Sequence, residues 1–178
     1  MKFSEMKYER PDLAAVKDEL HALTERLKAA RDYAEAREAF LAHEAAYIHM
    51  ETQATLASVR HTIDTRDEFY DAEETFWNAA TPELDAYEDA WKGTMLESPF
   101  RKEFAAEYGD LMFINAEIAR KAFSPEIIPE SQQENELTQA YGKLIASAQI
   151  PFEGGVYTIS QLSPFKNDPD DARRLAAW

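Results

Sequence analysis

Cysteine is absent from this chain of 178 residues. That excludes disulfides, thiolate nucleophiles and cysteine-ligated zinc. Glycine is scarce, at 5 residues, and the one Gly-Gly pair, Gly154-Gly155, lies near the end with no Gly-Lys-Ser/Thr after it. A phosphate-cradling loop needs glycines between a strand and a helix, so a P-loop or dinucleotide fold is excluded. Basic residues are few. Lys and Arg total 19 against 34 Asp and Glu, a formal charge of -15. A surface this negative repels phosphate backbones and anionic lipid, so neither a nucleic acid nor a membrane is expected as a partner. No apolar run approaches the ~18 residues of a spanning helix, and the opening residues carry no signal-peptide core. These absences fit a cytoplasmic protein.

What the chain has in quantity is helix former. Hydrophobic residues make up 45% and aromatics 12%, enough for a packed core. A first helix is expected from Pro11 to about Ala30, with Leu13, Val16, Leu20, Leu23 and Leu27 recurring at three and four as one seam. Asp32 can cap a second helix, and from Tyr33 to about Ile63 neither glycine nor proline interrupts. Phe40, Tyr47, Ala54 and His61 form one row there, and Leu41, Ile48, Leu56, Val59 and Ile63 are expected to widen it into a broad buried face. After the polar break Asp64-Thr65-Arg66-Asp67, a third helix carries Phe69, Phe76, Trp77, Leu84, Tyr87, Trp91 and Met95 as its large apolar residues. Pro82 should kink or break it near Ala79 to Thr81.

Shorter helices follow. One opens at Ser98-Pro99 and stops at Gly109, and one opens at Asp110 with Leu111, Phe113, Ile114, Ile118 and Phe123. Another runs from Glu126 to Ala148 with Leu137, Tyr141, Leu144 and Ile145 expected to be buried. Residues 150–159 read as a β-hairpin around Gly154-Gly155. A last helix starts at Asp168-Pro169-Asp170-Asp171. It either docks through Leu175 and Trp178 or is cut short. The fold expected is all-α: an antiparallel bundle of long helices with one small β-hairpin near the C-terminus. Residues 1–148 would form a helical domain and 149–178 a hairpin and helix start.

The search for chemistry yields no complete site. Of the four histidines, His43 alone begins a zinc-peptidase-like string, but His43-Glu44-Ala45-Ala46-Tyr47 has tyrosine where the second imidazole must stand. His49 falls on another helix face, and no Glu precedes any histidine by three, as di-iron bundles require. Between Asp64 and Ala90, ten acids face one base, Arg66. Their interleaving with apolar residues reads as a solvated helix face, which could also attract a basic partner. Trp77, Tyr87 and Trp91 read as core rather than ligand groove. Catalytic and metal-binding residues are therefore expected to be none.

Several strings resemble one family. Phe3 to Asp12, Ser58 to Asp71, Phe123 to Glu130 and Leu144 to Gly155 with Tyr157 to Leu162 are similar, in order, to the oligoendopeptidase F branch of the thimet-oligopeptidase-like zinc peptidases. The resemblance implies a largely helical enzyme that cleaves oligopeptides in a deep channel, with one zinc held by His-Glu-x-x-His and a downstream Glu. It implies that this chain is the N-terminal, non-catalytic part, a channel wall whose partners are the oligopeptide substrate and its own missing catalytic domain. On that reading Trp178 is an artificial end, the chain alone is inactive and holds no zinc, and it self-associates through exposed apolar surface. The other expectation is a stand-alone acidic helical interaction protein using the leucine seam and the acidic third helix. The polar break, His61, Asp64, Arg66 and Asp67, is the one candidate for a channel or interdomain contact. A capped helix junction explains it equally well.

Overall fold

The structure, a computed structural model, describes residues 2–178. Among these residues eight α-helices and one hairpin follow in order: α1 (Leu13–Lys28), α2 (Tyr33–Ile63), α3 (Glu68–Glu97), α4 (Arg101–Tyr108), α5 (Leu111–Ala122), α6 (Ile128–Ala146), β1 (Ile150–Phe152), β2 (Gly155–Tyr157), α7 (Ser163–Lys166) and α8 (Asp171–Ala177). Two compact units form, one ending at Asn135 and the other being Glu136–Trp178.

The first unit rests on three aspartate caps. Asp12 accepts from the amides of Ala14 and Ala15, Asp32 from Glu35, and Asp67 from Phe69 and Tyr70. Each satisfies amides that the first helical turn leaves open. α1, α2 and α3 then pack on one another around two apolar cores. One holds Leu27, Ala36, Ala39, Phe40, Trp91, Met95, Phe104 and Phe113. The other holds Leu20, Met50, Ala57, Trp77, Ala80 and Leu84.

In α2 the buried positions Ala36, His43, Met50 and Ala57 recur every seven residues, joined by Phe40 and His61. The expected broad face is corrected: Leu56 is buried, but Leu41, Ile48, Val59 and Ile63 are exposed. Neighbours reach one side of the helix only, and the second apolar row lies on the other. Phe69 is likewise exposed.

α3 does not break at Pro82. Proline leaves the carbonyl four residues earlier without its amide, and that carbonyl, of Asn78, accepts from Asn135 Nδ2 at 3.1 Å. The adjacent carbonyl of Ala79 accepts from Gln132 Nε2 at 2.8 Å. Side chains at the start of α6 thus stand in for the lost helical bonding, and α3 continues for 30 residues.

The acidic face of α3 is also corrected in part. Glu73 and Glu88 are buried rather than solvated, because each has a cationic or imidazole partner from another element.

In the second unit β1 and β2 pair antiparallel, Ile150 with Tyr157 and Phe152 with Gly155. The two residues between them, Glu153 and Gly154, both have positive φ, 46° and 82°, as a hairpin turn with the strands' own twist demands. The turn is therefore Glu153-Gly154, with Gly155 already in the strand. Arg173 of α8 holds Glu153 in a forked ion pair and reaches Asp168 at 2.8 Å. Phe152 and Tyr157 close on Phe165 at ring distances of 5.3 and 5.1 Å.

α6 buries none of its residues. Leu137, Tyr141, Leu144 and Ile145, expected inside, are exposed, as are Leu111, Ile114 and Ile118 of α5. Leu175 and Trp178 do not dock either; both are exposed. The helical spacing of these residues was legible, but nothing among the described residues covers the stripes they form.

Candidate functional site

The polar break lies between α2 and α3, and the structure gives each of its residues a local role. His61, on the last turn of α2, is buried with Nε2 3.3 Å from Asp71 Oδ1. Asp64 accepts from Arg66 Nε at 2.9 Å and from its backbone amide at 3.1 Å. This pairing holds the Asp64 carboxyl below its usual range. Both side chains are open to water. Asp67 caps α3. The four do not share one pocket: His61 faces inward and the other three face the junction surface.

Beside this junction the N-terminal segment is strapped across the helices, a feature with no short-range signal in the sequence. Arg10 grips the buried Glu73 with two bonds of 2.8 and 2.7 Å and lies over the Phe76 ring at 4.7 Å. Tyr8 donates to the same carboxylate and accepts from Trp77 Nε1 at 3.1 Å. The Arg10 bonds hold the Glu73 carboxyl below its ordinary value, and burial, then the bond to Glu73, pushes the Tyr8 hydroxyl up to about 12. The Glu9 amide donates to the buried Gln53 at 2.9 Å. Arg60 bonds the Tyr70 hydroxyl at 2.6 Å and also the Met6 carbonyl. A cavity of about 370 Å³ opens between this strap and α2, lined by Phe3, Met6, Tyr47, Ile48, Glu51 and Thr52 among others.

The second polar cluster lies between the two cores. His43 is stacked on Trp91, with centroids 3.8 Å apart and planes 1° from parallel. Its Nε2 is 3.1 Å from Glu88 Oε1. Burial pushes the imidazole down, but Glu44 and Glu88 outweigh it and raise the group above its ordinary value. Trp91 belongs to one core and Trp77 to the other, so the two do not line a common groove.

A catalytic zinc requires three protein ligands converging with an open position. Among the described residues no group of three or more His, Asp or Glu could hold a metal ion. His43, the one histidine in a suggestive string, is committed to Trp91 and Glu88. The residues present do not fit a zinc site. No helix among the described residues is long and apolar enough to cross a membrane.

Residues 3–123 match the model of the peptidase M3 N-terminal domain. The chain belongs to this family. No curated protein sequence matches it. Solved structures extend the likeness past residue 123. One described as an oligoendopeptidase F is 38% identical with a TM-score of 0.95, matching 99% of this chain and 31% of its own. PZ peptidase A, solved with an inhibitor, is 36% identical at a TM-score of 0.94, over 99% of this chain and 31% of its own. A third, described as an oligoendopeptidase F of Bacillus anthracis str. Ames, is 32% identical at 0.94, over 99% and 32%. The chain thus spans about a third of the length of the M3-type peptidase structures it matches.

Proposed function

We propose that this M3 N-terminal domain is the non-catalytic part of a zinc-dependent oligoendopeptidase that hydrolyses short peptides, and that it helps to form the wall of the substrate channel. The observation that carries the reading is the match of 99% of the chain to about a third of an oligoendopeptidase F at a TM-score of 0.95, together with the family match. The catalytic zinc and its ligands belong, on this reading, to the portion of such an enzyme outside this chain, and residues 149–178 lead toward it. Rigidity is what this part supplies. The Arg10–Glu73–Tyr8 strap and the capped, long helices hold a fixed surface against which a peptide can be confined. The Asp64–Arg66 pair, open to water at the junction, is the part of the polar break proposed to meet the channel or the neighbouring domain.

Metal analysis and a quenched-fluorescent peptide assay on the purified 178-residue protein test this. Neither stoichiometric zinc nor hydrolysis is expected, and zinc-dependent cleavage by the chain alone overturns the reading. The alternative, a stand-alone interaction protein, loses support from its own surfaces: Leu20 and Leu27 of the leucine seam are buried in the cores, and Glu73 and Glu88 of the acidic helix have internal partners.

A further inference from the structure

Beyond the bonds that Gln132 and Asn135 make at its start, α6 leaves its apolar face open. It is 19 residues long and buries none of them. Leu137, Tyr141, Leu144 and Ile145 recur at four, three and one, which places them on one face, and they are 63%, 65%, 66% and 38% exposed. In the first unit, Leu111, Ile114 and Ile118 of α5, at three and four, are also at least half exposed. Single exposed leucines are ordinary, but a contiguous apolar stripe marks a surface meant for contact. Most of a helix's stability in a protein comes from packing such a face.

The likeness to solved structures indicates what covers it. The matched structures contain the whole of this segment, because they cover 99% of the chain, while about two thirds of each relative's own length lies outside the match. We infer that the Leu137–Tyr141–Leu144–Ile145 face of α6 is the docking surface for the remaining, catalytic portion of an M3-type peptidase, and that this contact orders the helix. This rests on the function proposed above and adds the surface through which the two parts meet. The face is apolar and free of charge at its centre, so the partner surface is apolar too.

The test uses this chain in two settings: alone, and in a chimera in which it replaces the matched third of the 38% identical oligoendopeptidase F. Hydrogen exchange is read over residues 128–146. The chimera is expected to exchange at least tenfold more slowly there than the chain alone. The double variant Leu137→Asp, Leu144→Asp is expected to return the chimera to the fast rate while leaving the circular dichroism of the isolated chain unchanged, since both side chains are already in water. Equal exchange in both settings, or a chimera indifferent to the double variant, overturns the inference. A chimera indifferent to it, beside an isolated chain that forms a dimer which the same variant dissolves, assigns the face to a second copy and overturns it as well. Peptide hydrolysis by the chimera keeps the two readings apart. Protection over α6 without hydrolysis sinks the functional proposal and leaves the surface standing; hydrolysis without protection does the reverse.

Discussion

His43 shows how one side chain can join two cores. Along α2 it falls between Phe40 of one core and Met50 of the other. Along α3 its partner Glu88 falls between Leu84 and Trp91. A buried polar pair at such a point penalises any slip of α2 against α3, because a slip leaves both groups unpaired. It also makes stability depend on pH. The folded imidazole titrates above its ordinary 6.5, so its contribution is complete below about pH 6.5 and is lost as the pH rises through the raised value. Glu73 has the opposite sign. Its carboxyl, held down by Arg10, contributes above its ordinary 4.5 and loses that contribution as the pH falls through the lowered value. Thermal unfolding followed from pH 4 to 9 should therefore show maximal stability from about pH 5 to 6.5, and His43→Gln should flatten the alkaline limb. A variant that keeps the full alkaline slope would show that another group causes it. Arg10→Ala leaves Glu73 buried with only Tyr8 and should cost about 1–3 kcal/mol by chemical denaturation, with the strap exchanging faster. Phe113→Ala, which empties a fully buried position, should cost about 3–5 kcal/mol.

At the scale of elements, α3 and α6 are coupled through a proline. Pro82 leaves the Asn78 carbonyl open, and Asn135 and Gln132 fill the gap. Replacing both with alanine should cost about 1–3 kcal/mol, at ~0.5–1.5 kcal/mol per hydrogen bond removed. Hydrogen exchange should rise around residues 78–83 and at the start of α6. Pro82→Ala should act differently: the restored amide competes for the Asn78 carbonyl, so α3 tightens while the start of α6 loosens. If both segments loosen together, the two side chains are not substitutes for the missing bond. Helix starts belong to the same scale. Asp67→Ala removes the two bonds that begin α3 and should cost about 1 kcal/mol, whereas Arg66→Ala, on an exposed pair, should cost less than ~1 kcal/mol.

At the scale of the whole molecule, the exposed stripes of α5 and α6 set the behaviour of the isolated chain. Weak self-association through them is expected, and sedimentation showing a clean monomer over a wide concentration range would count against it. The Asp32 cap, most helix spans, the hairpin and the family strings were legible because they rest on neighbours in sequence, a side chain reaching its own first turn or an apolar residue every three or four, whereas the unbroken run of α3 through Pro82 was not. Asp32 with Tyr33–Ile63 is the clearest case. The candidate site was legible only as a polar break. Tyr8 and Arg10, which do the joining beside it, lie more than sixty positions from their partners Glu73 and Trp77 and carry no local pattern.

The amino-acid order by itself determined that this chain is helical, where its helices begin, and that it carries no His-Glu-x-x-His. These follow from backbone propensity, capping and residue identity, all short-range. Tertiary structure alone decided which apolar rows became core. Leu56 is covered, while Ile48 and Leu137 are not, although all three sit at helical spacing. Burial depends on whether another element arrives at that face, and periodicity records a face without recording its neighbour.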